Sequence, residues 1–124
     1  MIAVECYPGV DDTLVAASLS DHLDPSLVLR SADALLPESG INSLIAPFLG
    51  GNDPVFGFLS DLTLDAFFAP DRLAGLSRQL AEAPGLKLVV GCGAALVAPN
   101  ADLTVYADLA RWEAQLRFRR NQSA

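Results

Sequence analysis

Histidine and cysteine are scarce in this sequence, and their scarcity excludes several kinds of site. The 124 residues contain one histidine, His22, and two cysteines, Cys6 and Cys92. A protein zinc site needs three or four ligands, and neither cysteine has a partner in a C-x-x-C pair. The sequence therefore predicts no metal or other cofactor in this chain. Two isolated cysteines also give no disulfide framework, so free thiols and a cytoplasmic location are expected.

Long apolar runs are absent as well. No uninterrupted apolar stretch approaches the ~20 residues that span a bilayer. The amino terminus has no basic segment, and Glu5 interrupts its short apolar run, which excludes a secretory signal peptide. We therefore expect no membrane partner.

Positive charge is scarce except at the end of the chain. Residues 1–110 contain 4 basic and 14 acidic side chains, a net charge of −10, whereas residues 111–124 contain 4 basic and 1 acidic side chain, a net charge of +3. The acidic body should repel nucleic acid. The basic end could bind a small anion or pair with the acidic body.

Apolar residues, by contrast, are abundant. The hydrophobic fraction is 52% and the mean hydropathy is +0.36. A parallel sheet covered on both faces requires continuous apolar strands and would explain this composition. Apolar surface that awaits a partner would explain it too, and the two explanations are compatible.

The hydrophobic pattern alternates between strands and helices. Asp11 and Asp12 predict a helix start that leads to a helix ending near Leu23, and Asp108 is expected to cap a last helix. Other helices are predicted from periodicity and from Pro70. The predicted strands are 2–7, 26–30, 86–90 and 103–106, and the predicted helices are 12–23, 41–49, 70–83 and 109–120, with a short turn at 64–68 and no assignment for 55–59.

This order predicts one α/β domain over residues 1–120, with residues 121–124 as a tail or the start of a linker. Apolar strands that alternate with helices are typical of a three-layer, Rossmann-like sandwich with a mostly parallel sheet. Ligands of such sheets bind at the carboxyl ends of the strands. The strand-end candidates are therefore Tyr7, Gly9, Asp33 and Asp108.

A glycine turn and an arginine-rich helix form a candidate phosphate site. Gly91, Cys92 and Gly93 follow the most convincing buried strand, and such a turn can present backbone N–H groups to an anion. Arg111, Arg117 and Arg120 lie on the last helix, together with Arg119, and arginine suits bidentate phosphate contacts.

Plainer explanations of the same residues stay open. The glycines could form only a tight turn, and the arginines a solvated helix face or an interface with another domain. Asp33 and Asp108 could serve as turn or capping residues. Trp112 is expected in the core, and Cys92 is expected to be a buried structural thiol because no histidine is near it in the sequence.

Four stretches of the sequence resemble one family pattern. They are Glu5-Cys6-Tyr7-Pro8-Gly9-Val10, Asp53-Pro54-Val55-Phe56-Gly57, Gly91-Cys92-Gly93-Ala94, and Tyr106-Ala107-Asp108-Leu109-Ala110-Arg111-Trp112-Glu113 with Gln115-Leu116-Arg117. They resemble the N-terminal domain attached to the cupin part of bacterial class I mannose-6-phosphate isomerase-like proteins. The resemblance implies a longer parent protein with zinc only in the cupin domain, which is absent here.

The layout also resembles P-loop nucleoside and sugar kinases, such as the uridine kinase and phosphoribulokinase group. A P-loop places a lysine and backbone N–H groups around the phosphates. Here the corresponding turn, Pro8-Gly9-Val10-Asp11-Asp12-Thr13, has no lysine and carries two carboxylates that would repel a triphosphate. The loop is therefore a degenerate one.

The expected function is a vestigial, non-catalytic kinase-like accessory domain of a mannose-6-phosphate isomerase-like protein. Its expected partners are a cupin isomerase domain or a second copy of itself, with a sugar phosphate or a nucleotide as ligand. The alternatives are an active small-molecule phosphotransferase with a degenerate phosphate loop and a purely structural dimerisation module.

Overall fold

The chain forms an α/β sandwich in three layers, as the alternation of strands and helices predicts. In this computed structural model the structure describes residues 1–53 and 56–120; the predicted tail at 121–124 lies outside the described residues. The strands are β1 (Ile2–Cys6), β2 (Leu27–Arg30), β3 (Lys87–Gly91) and β4 (Leu103–Ala107). The helices are α1 (Asp12–Leu23), α2 (Glu38–Ile45), α3 (Pro70–Glu82), α4 (Ala94–Val97) and α5 (Arg111–Arg119), with 3-10 turns at Ser31–Ala34, Ala46–Phe48 and Leu64–Phe67.

The four strands are all parallel and lie in the order β2-β3-β1-β4. Register pairs Val4 of the central strand β1 with Val90 of β3 on one side and with Val105 of β4 on the other. All four carboxyl ends therefore meet at one edge of the sheet, which we call the carboxyl edge. Strand β4 lies at the side of the sheet and pairs with β1 alone among the described strands.

The sheet has a hydrophobic core on each of its two faces, because successive strand residues point to opposite faces. Helix α1 covers one face, where Val15 and Leu19 pack on a core of buried strand residues. Helices α3 and α4 cover the other face, through Leu76, Leu80 and Val97. The buried strand residues are Val4, Cys6, Leu88 and Val90 under α1, and Ala3, Leu29 and Val89 under α3 and α4.

Capping residues and prolines in the sequence predicted most of the helix ends. The Asp11 carboxylate accepts a hydrogen bond from the Leu14 N–H at 2.9 Å, so it is the predicted N-cap of α1. Asp24 ends α1 in a left-handed conformation, and Pro70 starts α3. Helix α2 ends at Ile45, and Pro47 lies in the 3-10 turn that follows it.

Three expectations about local structure were wrong. Asp108 does not cap the last helix, because α5 begins after Ala110 and the Asp108 carboxylate accepts from the Leu109 N–H instead. Trp112 is not in the core: its side chain is 66% exposed, since α5 buries Ala114 instead. The short helix α4 was missed, because its four residues are too few to show a helical period.

No helix in the described part of the chain is long and apolar enough to cross a membrane.

Candidate functional site

A cavity of about 410 Å³ opens at the carboxyl edge, between the ends of β1, β2 and β3. Open parallel sheets bind their ligands at this place. Its walls combine a few polar groups with a larger number of apolar and aromatic side chains. The lining residues are Cys6, Tyr7, Pro8, Gly9, Val10, Asp12, Ser31, Ala32, Leu35, Leu64, Phe67, Phe68, Cys92 and Phe118.

The turn between β1 and α1 forms one side of this carboxyl-edge cavity. The Val10 N–H donates to the Tyr7 carbonyl at 3.0 Å and closes the turn around Gly9, whose φ of 98° suits glycine. The Tyr7 N–H donates to the Ala107 carbonyl at 2.9 Å, which continues the pairing of β1 with β4. The backbone after β1 is thus fixed in position beside the cavity.

Helix α5 is attached to this turn by Arg117. Its guanidinium donates to the Gly9 carbonyl at 3.2 Å and to the Glu113 carboxylate at 3.0 Å. The side chains of Ala114 and Phe118 lie against Gly9, within 3.8–3.9 Å of the position that a Cβ would take there. Arg117 therefore places Phe118 on the cavity wall.

The polar groups of the cavity are already paired with each other in part. The Asp12 carboxylate, in the first turn of α1, forms an ion pair with Arg30, which also donates to the Thr13 hydroxyl at 3.1 Å. Arg30 engages Oδ1, whereas Oδ2 of Asp12 lies toward Gly91. The Ser31 hydroxyl donates to the Cys92 carbonyl at 2.7 Å and joins the ends of β2 and β3.

The glycine turn after β3 holds a carboxylate of the protein itself. Glu5 accepts hydrogen bonds from the Gly93 N–H at 2.6 Å and from the Ala95 N–H at 3.0 Å. These are N–H groups at the start of α4, which have no partner within the helix. The turn therefore does bind an anion, and in this structure the anion is the Glu5 side chain.

Both cysteines lie on the cavity wall as free thiols. Burial is the main reason that the pKa of Cys6 is raised, and the carboxylates of Asp12 and Glu5 add to the effect. The pKa of Cys92 is raised by burial first and then by Glu5 and Asp12. Both thiols therefore stay protonated at neutral pH, which makes them poor nucleophiles.

The structure divides the predicted site residues into three groups. Tyr7, Gly9 and Cys92 line the cavity. Gly91, Gly93 and Arg117 do not line it but hold its surroundings in place through the contacts above. Among the described residues, the cavity wall does not include Asp33, Asp108, Arg111 or Arg120, which are all exposed.

The sequence did not predict most of the apolar residues that line the carboxyl-edge cavity. Leu64 and Phe67 lie in the 3-10 turn before α3, and Phe68 follows it. These residues are far in sequence from the glycine turns of the predicted site. Glu5 was interpreted only as a break in an apolar run. A signal for it was present, since an acidic residue inside a buried parallel strand needs a partner. Among the described residues, no group of three or more metal-ligating side chains could hold a metal ion.

Comparison with known proteins gives a family. The sequence model of a family described as "Domain of unknown function (DUF8485)" matches residues 1–124, so the chain belongs to that family. No curated protein and no solved structure matches the chain.

Proposed function

We propose that this member of the DUF8485 family is a non-catalytic α/β domain that binds a small organic molecule in the carboxyl-edge cavity. The observation that carries the proposal is the cavity itself: largely apolar and aromatic walls, with a few polar groups at the strand ends. Small-molecule sites typically combine such walls with a volume of roughly 300–1,000 Å³. At about 410 Å³, this cavity has room for a small ring or a branched group.

Several contacts make a phosphate group a weaker candidate for the cavity than an organic ring. Glu5 occupies the N–H groups of the glycine turn, and Asp12 stands at the start of α1. Arg30 and Arg117, which are next to the lining residues Ser31 and Phe118 in the chain, are both paired with carboxylates. Phosphoryl transfer lacks the P-loop lysine as well, so the phosphotransferase alternative has the least support.

The wider role that we propose follows the family resemblance in the sequence. The domain would serve as a vestigial kinase-like accessory to a mannose-6-phosphate isomerase-like cupin domain, in the cytoplasm. The stretches that end in Gln115-Leu116-Arg117 support the first part, and the two unpaired thiols support the second. A nucleotide or a sugar phosphate would then enter the cavity by its ring.

Thermal unfolding with a panel of ligands tests the binding proposal. The panel contains adenosine, Mg-ATP, mannose 6-phosphate and fructose 6-phosphate. A ligand at ~100 times its Kd should stabilise the fold by about 2.7 kcal/mol, which raises the midpoint by several degrees. We expect a rise with a ring-bearing ligand, and Phe118→Ala should remove it because Phe118 lines the cavity.

The matched control is Phe58→Ala, since Phe58 is also an exposed phenylalanine but lies outside the cavity wall. Its ligand response should equal that of the parent protein. No midpoint rise with any ligand of this panel, or with a small organic cation added to it, would contradict the proposal. A rise that Phe118→Ala and Phe58→Ala reduce equally would place the ligand elsewhere.

A second candidate function, self-assembly, is favoured by the exposed apolar residues on both sides of strand β4. Leu103 is 53% and Tyr106 60% exposed, and β4 carries no charged residue that would discourage pairing with another strand. Beside it, Val4, Leu14 and Val105 line a groove of about 400 Å³ between α1 and β4. Light scattering over a range of protein concentrations should then show a dimer. Val105→Lys should abolish the dimer, whereas the control Leu59→Lys, on an exposed loop, should preserve it. A monomer at all concentrations would reject this candidate.

A further inference from the structure

We propose that the ligand of the carboxyl-edge cavity is an organic cation, a substituted ammonium group on a small apolar body. This inference rests on the proposed binding function and narrows it to one chemical class. It follows from the side chains that share the cavity and from the charges around it.

The cavity wall brings aromatic rings and a carboxylate together. Tyr7, Phe67, Phe68 and Phe118 all line it, and Asp12 is its acidic residue. Aromatic rings attract ammonium groups through their quadrupoles, and the attraction grows when water is excluded. Phe68 is only 3% exposed, so at least one of these rings is already removed from water. Aromatic residues with one carboxylate are the groups that recognise a substituted ammonium ion.

The charges around the cavity favour a cation over an anion. Arg30 is held by Asp12 and Thr13, and Arg117 by Glu113 and the Gly9 carbonyl. Both arginines therefore have a carboxylate partner within the protein, and the buried Nε of Arg30 is left without a hydrogen bond. The whole chain, with the basic helix α5 included, carries a net charge of −7, which attracts cations from a distance.

The two thiols of the cavity lie in the field of the same carboxylates. Burial is the main cause of the raised pKa of both Cys6 and Cys92, and Asp12 and Glu5 raise it further. A neighbouring negative charge raises a thiol pKa because it disfavours the thiolate. The same field would stabilise a positively charged ligand at this place.

Asp12 contributes a carboxylate to the cavity lining, and Arg30 engages its Oδ1. Its Oδ2 lies toward Gly91, which is not a lining residue. An ammonium ion in the cavity would therefore share this carboxylate with Arg30.

A pair of isosteric probes tests the charge of the ligand directly. Choline and 3,3-dimethylbutan-1-ol have nearly the same shape, and they differ in that choline carries a positive charge. Titration calorimetry, or chemical shifts of the cavity amides, gives both Kd values. We expect choline to bind at least ~10-fold more tightly than the alcohol, and its affinity should fall as sodium chloride screens the carboxylates.

Two variants separate the charge from the aromatic contribution. Asp12→Asn should reduce choline affinity ~10-fold and leave the alcohol unchanged, and the unchanged alcohol also shows that the cavity is intact. Phe118→Leu keeps an apolar side chain, so it should weaken choline more than the alcohol. Asp33→Asn is the matched control, because Asp33 is exposed and outside the cavity wall.

Equal affinities for choline and the alcohol, or no effect of Asp12→Asn on choline, would overturn the cation inference and leave the proposed binding function standing. Binding of adenosine without choline would do the same. If no ligand or probe of either series binds, both the inference and the proposed function are wrong.

Discussion

Glu5 is the residue on which the arrangement of the carboxyl edge depends most directly. Its carboxylate receives two backbone N–H groups from the turn that leads from β3 into α4. It thereby joins the central strand β1 to the turn that follows its neighbour β3. An acidic residue in the middle strand is thus explained by a structural bond and not by catalysis.

We expect Glu5→Gln to destabilise the fold by about 1–3 kcal/mol. A glutamine keeps the shape of the side chain but replaces one acceptor oxygen by an NH₂ group, which leaves an N–H of Gly93 or Ala95 without its acceptor. Urea unfolding measures the change. Glu82→Gln at the exposed end of α3 is the control and should stay within about 0.5 kcal/mol. Equal effects of the two substitutions would show that the Glu5 bonds contribute nothing to stability.

Gly93 has two separate reasons to be glycine. Its φ of 84° is left-handed, and a Cβ there would lie 2.5 Å from Cζ of Phe68. A Cβ at Gly93 would therefore force the buried Phe68 ring to shift on the cavity wall. Conformation and close packing therefore both exclude a side chain.

A comparison of two glycines separates these reasons. Gly51 has a φ of 60°, but no atom lies within 4 Å of a Cβ added there. Both Gly→Ala substitutions should cost about 1–2 kcal/mol for the left-handed conformation. Gly93→Ala should cost about 1–3 kcal/mol more, because it overpacks the wall. Similar unfolding free energies for the two variants would show that Phe68 moves aside freely.

At the scale of elements, β4 is the least protected part of the sheet. It pairs with β1 alone among the described strands, and the residues Leu103–Tyr106 are exposed. Its beginning is attached to β1 by an ion pair between the Met1 ammonium and the Asp102 carboxylate, at 2.5 Å. The hydrogen bond and the charge of that ammonium lower the pKa of Asp102.

This pair predicts a pH dependence of stability with a definite sign. Because the folded-state pKa of Asp102 lies below the unfolded value of about 3.9, its stabilisation is present above that pH and is lost as pH falls through the folded-state value. Asp102→Asn should therefore lower the urea midpoint slightly at pH 6–7, and the difference from the parent should vanish as the carboxyl group protonates. Asp61→Asn, another exposed carboxylate, is the control. A difference that persists to pH 2 would contradict the assignment to this ion pair.

Helix α5 forms where the sequence predicts a helix, but the side of it that is buried differs from the predicted side. The i,i+4 spacing of Glu113 and Arg117 favours an ion pair on one side of a helix, and that pair is present. The helix nevertheless exposes Trp112, because Arg117 and Ala114 turn the opposite side toward Gly9. Sequence periodicity gives the spacing of a face, whereas the docking partner decides which face is buried.

At the scale of the whole molecule, an acidic, apolar chain forms an aromatic-lined cavity at the edge where its strands end. The net charge of the chain is −7, although the basic helix α5 contributes Phe118 to the cavity wall. The net negative charge of the surface steers cations toward the protein, and the aromatic wall with Asp12 would recognise a cation within the cavity, so both favour a positively charged ligand. The exposed apolar residues of β4 add a second surface, which assembly would cover.

The sequence by itself determined the α/β class, the strand positions and the N-cap at Asp11. These follow from local causes: apolar strands covered on two faces, helical spacing, and side chains that bond to the nearest backbone. The glycines that follow β1 and end β3 were also found in this way, since a backbone with positive φ favours glycine wherever it lies.

Only the tertiary structure decided what these glycines face. The Gly93 N–H donates a hydrogen bond to Glu5, which is 88 positions away in the sequence. Tyr7, Phe67 and Phe118 line the same cavity although they are also distant in the sequence. Such contacts depend on strand order and on the docking of α5, which no local period encodes. For the same reason the sequence left the arginines of α5 open between a candidate phosphate site, a solvated helix face and an interface, and only the structure shows that Arg117 bonds to the Gly9 turn.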